Sequence, residues 1–104
     1  MVLDNLQPAR VMHYFEEISA VPRGSGDTKR ISDRCVEMAR ALGLDCRQDE
    51  YNNVVIRKKA SVGYEDHPAV ILQGHLDMVC EKEPHSDHDF SRDGIRLVVD
   101  GDWI

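Results

Sequence analysis

Two side chains in this sequence have the types and spacing to do chemistry together. In Gln73-Gly74-His75-Leu76-Asp77-Met78-Val79, a histidine and an aspartate sit two positions apart at the end of an apolar run. Successive side chains of an extended backbone point to opposite faces, so His75 and Asp77 share one face and Leu76 takes the other. An imidazole held at one ring nitrogen by a carboxylate has a fixed tautomer and a more basic second nitrogen, the arrangement that suits a metal ligand. The reading that competes with it is a plain hydrogen-bonded surface pair. Position favours the ligand, because binding sites of open α/β sheets gather at the carboxyl ends of strands.

Other polar clusters read as structural. His85-Ser86-Asp87-His88-Asp89 offers several potential ligands. It matches neither the H-E-x-x-H helix nor a calcium loop with its central glycine, so local turns by Asp and Ser side chains are expected there. Gly24-Ser25-Gly26 precedes a predicted helix but follows no strand and lacks the Lys-Ser/Thr ending of a phosphate loop. It reads as a tight turn, with Ser25 or Asp27 as the helix cap. Glu16 and Glu17 are adjacent on a helix and diverge by about 100°, so they cannot share a reacting group and are expected to be solvated. No serine has the G-x-S-x-G surroundings of a nucleophile elbow.

The elements that must position His75 follow from periodicity. Val11, Tyr14, Phe15 and Ile18 form one stripe of a first helix, with Asn5 as the expected N-cap and Pro8 in the first turn. Ile31, Cys35, Met38 and Leu42 form the stripe of a second helix, ended by Gly43. Leu44 to Glu50 and Asn53 to Lys58 read as a hairpin around Tyr51-Asn52-Asn53. Ala69 to Gln73 is continuously apolar, the pattern of a central strand covered on both faces. Ile95 to Val99 and Asp102 to Ile104 flank Asp100-Gly101, a type I′ hairpin signal whose second strand is very short.

Composition narrows the class. The 104 residues suffice for one compact domain, 41% are hydrophobic and 31% charged, and the net charge is −6. That balance, with Arg57-Lys58-Lys59 the sole basic cluster, argues against a nucleic-acid partner. No run approaches the roughly 20 apolar residues of a membrane span, and Met1 to Pro8 lacks the features of a secretory signal. Cys35, Cys46 and Cys80 are odd in number and widely spaced, so a zinc knuckle or redox pair is not expected. Cys35 and Cys46 read as packed thiols, Cys80 as the one nearest the His75 segment. A reducing cytoplasm is the expected compartment.

Pro22-Arg23-Gly24-Ser25-Gly26, Gln48 to Val54, Gln73 to Val79, His88-Asp89-Phe90 and Val99 to Trp103 together resemble the aminoacyl-histidine (Xaa-His) dipeptidases. These are co-catalytic zinc peptidases of the aminoacylase/carboxypeptidase clan. The resemblance runs through essentially the whole chain. H-x-D is shared across the clan, whereas P-R-G-S-G combined with Q-G-H-x-D-M-V points to this branch. It implies an α/β fold, residues 1–104 forming the N-terminal part of a zinc-peptidase catalytic domain with no second domain. That part would comprise two helices, a hairpin, a central strand ending at the metal histidine and a closing hairpin.

On position, His75 matches the metal-ligand histidine and Asp77 the active-site aspartate that orients it; no further cofactor-binding residue is implied. The implied cofactor is a pair of Zn2+ ions, with Co2+ or Mn2+ as alternatives. The implied substrate is a dipeptide with a C-terminal His, with no membrane partner and with homodimerisation of the full-length enzyme as an option. The bridging Asp in G-A-D-N-G, the Glu-Glu pair with the general base, a further acidic ligand and a distant His have no counterpart in these residues. The chain by itself is therefore expected to be an inactive, marginally stable piece of the enzyme. The rival readings are a non-catalytic binding or regulatory remnant of the fold, and a related clan tripeptidase or deacylase.

Overall fold

The computed structural model describes residues 1–104 and contains helix α1 (Ala9–Ser19), helix α2 (Lys29–Ala41) and strands β1 (Asp45–Gln48) and β2 (Val54–Arg57). The strands pair antiparallel, Asp45 opposite Arg57 and Gln48 opposite Val54, and α2 lies across both. The mixed helix and strand architecture agrees with the sequence expectation.

Helix α2 is the anchor. Ile31, Ser32, Val36 and Ala39 are its buried residues. The buried stripe is thus rotated from the expected one: Cys35 and Met38 are half-buried and Leu42 is exposed. The rotation brings Ser32 inside at 0% exposure, and Gln48 Nε2 donates to its hydroxyl at 2.7 Å, supplying the partner that a buried polar group needs. The helix ends as expected at Gly43, whose φ of 68° suits glycine. The Leu44 amide reaches the Ala39 carbonyl and the Gly43 amide the Arg40 carbonyl, both at 2.9 Å, which is the Schellman closure.

Asp49 shapes the hairpin tip. Its carboxylate accepts the amides of Tyr51 and Asn53 and the Asn53 side chain, within 2.8–2.9 Å. These bonds hold its carboxyl below the ordinary range, the Asn53 side chain contributing most. Asn52 takes the left-handed conformation at φ 67°, which Asn tolerates well.

Helix α1 begins later than expected. Pro8 is its N-cap, and Asn5 lies outside. Of its stripe, Tyr14 and Ile18 are half-buried while Val11 and Phe15 are exposed. Glu16 and Glu17 are structural rather than simply solvated. Glu16 accepts the Val2 and Leu3 amides at 2.7 and 2.8 Å and folds the N-terminus back so that Leu3 is buried. Glu17 pairs with Arg34 of α2 at 2.9 Å.

Three expected strands do not form ladders. Ala69 to Gln73 has no strand partner, and Val70, Ile71 and Leu72 are 83%, 88% and 94% exposed. A strand buried on both faces needs a sheet to pair into and layers packed above and below it. Here an open cleft of about 470 Å3 separates residues 73–77 from β2 and α2. The closing hairpin contracts to a single bridge, Asp100 with Trp103, bonded in both directions at 3.0 Å. Gly101 and Asp102 are the central turn residues, with left-handed φ only at Gly101, the II′ rather than the I′ pattern. The three residues after Gly101 are too few to extend the ladder. No helix is long and apolar enough to cross a membrane.

Candidate functional site

The loop between the helices and the segment after the apolar run are stitched together. The Met78 amide donates to the Arg23 carbonyl at 2.9 Å and the Ser25 amide to the Met78 carbonyl at 3.0 Å, a parallel bridge centred on Gly24 and Met78. Gly24 allows the close approach, since a Cβ there would lie 2.6 Å from Cys80 Sγ. The Asp27 amide closes the turn on the Gly24 carbonyl at 2.8 Å, with Gly26 at φ 81°. The tight turn expected at Gly24-Ser25-Gly26 is present, but neither predicted cap acts as one. Thr28 is the N-cap of α2, and Asp27 pairs with Arg30 at 2.7 Å.

Ser25 is spent on Asp77 instead. Its hydroxyl donates to Asp77 Oδ2 at 2.6 Å, short because the acceptor is charged, and lies 3.3 Å from the Met78 carbonyl. The other carboxylate oxygen, Oδ1, lies 3.0 Å from His75 Nδ1, and the Asp77 carbonyl lies 2.9 Å from the same nitrogen. Ser25, and secondly His75, hold the Asp77 carboxyl below its ordinary range. Asp77 therefore stays ionised at neutral pH and grips with both oxygens.

The tautomer of His75 follows. Both neighbours of Nδ1 are acceptors, so Nδ1 carries the hydrogen and Nε2 carries the lone pair. The side chain is 82% exposed, at the edge of the cleft lined by Thr28, Cys35, Asn52, Val54 and Gly74 among others. The structure thus brings together the two residues singled out in the sequence and adds Ser25, which that reading left as a candidate helix cap. The signal was available in the P-R-G-S-G segment, but its link to Asp77 spans more than fifty positions.

The remaining polar candidates do not join this site. In the His85–Asp89 region the Ser86 amide reaches the Glu83 carbonyl at 3.0 Å, and Asp89 accepts the amide and hydroxyl of Ser91. These are the local turns expected there. His88 packs edge-on against Phe90. Burial pushes the Cys35 thiol up, keeping it protonated and unreactive at the cleft wall.

The donor set decides how far a metal would fit. A zinc site takes roughly three or four protein ligands. His75 offers one well-prepared imidazole nitrogen, while no three His, Cys, Asp or Glu residues converge anywhere in residues 1–104. These residues fit one corner of a metal centre and do not form a centre by themselves.

Known proteins resemble this chain along nearly all of its residues. A cytosol non-specific dipeptidase of Escherichia coli (strain K12) is 34% identical over 102 residues, 98% of this chain. The crystal structure of an aminoacylhistidine dipeptidase from Vibrio alginolyticus superimposes with a TM-score of 0.90 at 37% identity over 97% of this chain. Along nearly its whole length, this chain is similar to dipeptidases. The chain spans about a fifth of each of these relatives, 21% in both cases. No family model matches the sequence. The resemblance read from the motifs is therefore sound, and the homologues are hydrolases.

Proposed function

We propose that this chain contributes His75 and Asp77 to the metal centre of a dipeptidase that hydrolyses Xaa-His dipeptides. The observation that carries the reading is the Nδ1 atom of His75 facing two Asp77 oxygens, at 2.9 and 3.0 Å, with Nε2 left unengaged and exposed. His75 would donate the Nε2 lone pair to the metal, and Asp77 would fix the ring and raise its basicity. When bound, a zinc pair lowers the pKa of water and polarises the scissile carbonyl. The other ligands and the general base would come from outside residues 1–104, so these residues alone would not hydrolyse a peptide. Co2+ and Mn2+ are alternative occupants on the same donor chemistry. The name of the Escherichia coli relative supports a cytoplasmic location and leaves a broader dipeptide range as the rival to Xaa-His preference.

The test is hydrolysis of a panel of dipeptides, with and without a C-terminal His, by the zinc-supplemented full-length gene product. Loss of turnover in His75→Ala and in Asp77→Ala supports the reading. Full turnover in His75→Ala rules it out, and equal rates on all dipeptides rule out the Xaa-His preference.

A further inference from the structure

We infer that Ser25 is a positioning residue, whose hydroxyl locks the Asp77 carboxylate in the one orientation that keeps His75 Nε2 free for a ligand. The inference rests on the metal-centre reading for its purpose, but its geometry stands apart from it. A carboxylate two residues from an exposed imidazole can rotate about its own χ angles, and an unrestrained one would meet His75 in several ways. Here Oδ2 is taken by Ser25 at 2.6 Å and Oδ1 by His75 at 3.0 Å, so both ends of the carboxylate are pinned. The pin is itself rigid. Ser25 sits between the Gly24–Met78 bridge and the left-handed Gly26, and its own amide is bonded to the Met78 carbonyl at 3.0 Å. The hydroxyl is thus presented from the backbone of a different loop, and the α1–α2 connection becomes part of the site.

The chain of contacts runs one way: backbone bridge, Ser25 hydroxyl, Asp77 carboxylate, His75 Nδ1, and then Nε2. Removing the hydroxyl leaves the bridge intact, since that uses main-chain atoms only. The loss falls on the orientation of Asp77 and hence on the tautomer of His75. The Asp77 carbonyl still accepts from Nδ1 at 2.9 Å, so the preference should weaken rather than vanish.

The experiment is a long-range proton–nitrogen NMR correlation on the full protein labelled at histidine, at about pH 8.5 where imidazole is ordinarily neutral. The wild type is expected to hold His75 in the Nδ1–H form. Ser25→Ala should reduce that tautomer's excess about fivefold, the effect of losing one typical hydrogen bond. Ser25→Thr, which keeps the hydroxyl, should restore it. An unchanged tautomer ratio in Ser25→Ala overturns the inference, as does failure of Ser25→Thr to restore the ratio while the Met78 amide stays protected. Adding Zn2+ separates the two claims. A tautomer shift in Ser25→Ala together with a His75 Nε2 resonance indifferent to zinc supports Ser25 as the lock and rules out the metal reading.

Discussion

Gly94→Ala is the perturbation whose cost can be worked most directly from the structure. A Cβ at this position would run into the Ala20 carbonyl oxygen and lie 2.6 Å from its carbon and 2.7 Å from the Ala20 Cα. All three are backbone atoms, so no side chain can swing aside. The 93–95 segment must lift away from the end of α1, which breaks the 2.7 Å bond from the Ile95 amide to the Ser19 carbonyl. Overpacking costs about 1–3 kcal/mol, and a lost hydrogen bond about 1 more, so the expected total is about 2–4 kcal/mol. At a factor of ten per roughly 1.4 kcal/mol, the Ile95 amide should exchange with solvent about 30- to 1,000-fold faster. Gly74→Ala is the control. Nothing lies within 4 Å of its Cβ position, so its exchange profile should match the wild type. Exchange at Ile95 within about threefold of wild type in Gly94→Ala, well short of the expected range, would refute the packing argument.

Acid should open the loops at residues 49–53 and 89–93. Asp93 is held down to about 2, first by the Arg92 side chain and then by the Asp89 amide, from an ordinary value of 3.8, and Asp89 and Asp49 are lowered too. For a depressed carboxyl the stabilisation is complete above the unfolded value and is lost as pH falls through the folded one. Amide signals of residues 89–93 should therefore be steady above about pH 4 and lost towards about pH 2, and those of residues 49–53 should be lost only as pH falls below about 4; a flat response on acidification contradicts the assignment. Leu72→Lys should leave stability within about 0.5 kcal/mol, because the side chain is 94% exposed. It should also lower self-association in light scattering of the 104-residue chain, since an unpaired apolar run invites edge pairing. Unchanged scattering would show that the run is not the sticky surface.

What could be read from the sequence was what local physics decides. Helix α2, its Gly43 ending and the hairpin follow from spacing and turn chemistry within a few residues. The His75–Asp77 pair was legible because an i, i+2 spacing brings the two side chains together on extended backbone. Ser25 was not legible from its own neighbourhood, because Ser-Gly before a helix fits a cap and the link to Asp77 is long-range. The inward turn of Ser32 likewise depends on Gln48 arriving from β1. The run at 69–73 misled for a different reason: an apolar pattern signals burial, but no strand within residues 1–104 pairs with it and its side chains stay exposed. Adjacency alone also failed for Glu16 and Glu17, whose partners are the folded-back N-terminus and Arg34.

The zinc K-edge absorption spectrum of the zinc-loaded full-length protein tests the central claim most directly. An imidazole nitrogen about 2.0 Å from zinc should be lost from the first shell in His75→Ala and kept when His85 and His88 are both replaced by Ala. A His75→Ala spectrum identical to that of the wild type would contradict the assignment of His75 as a metal ligand.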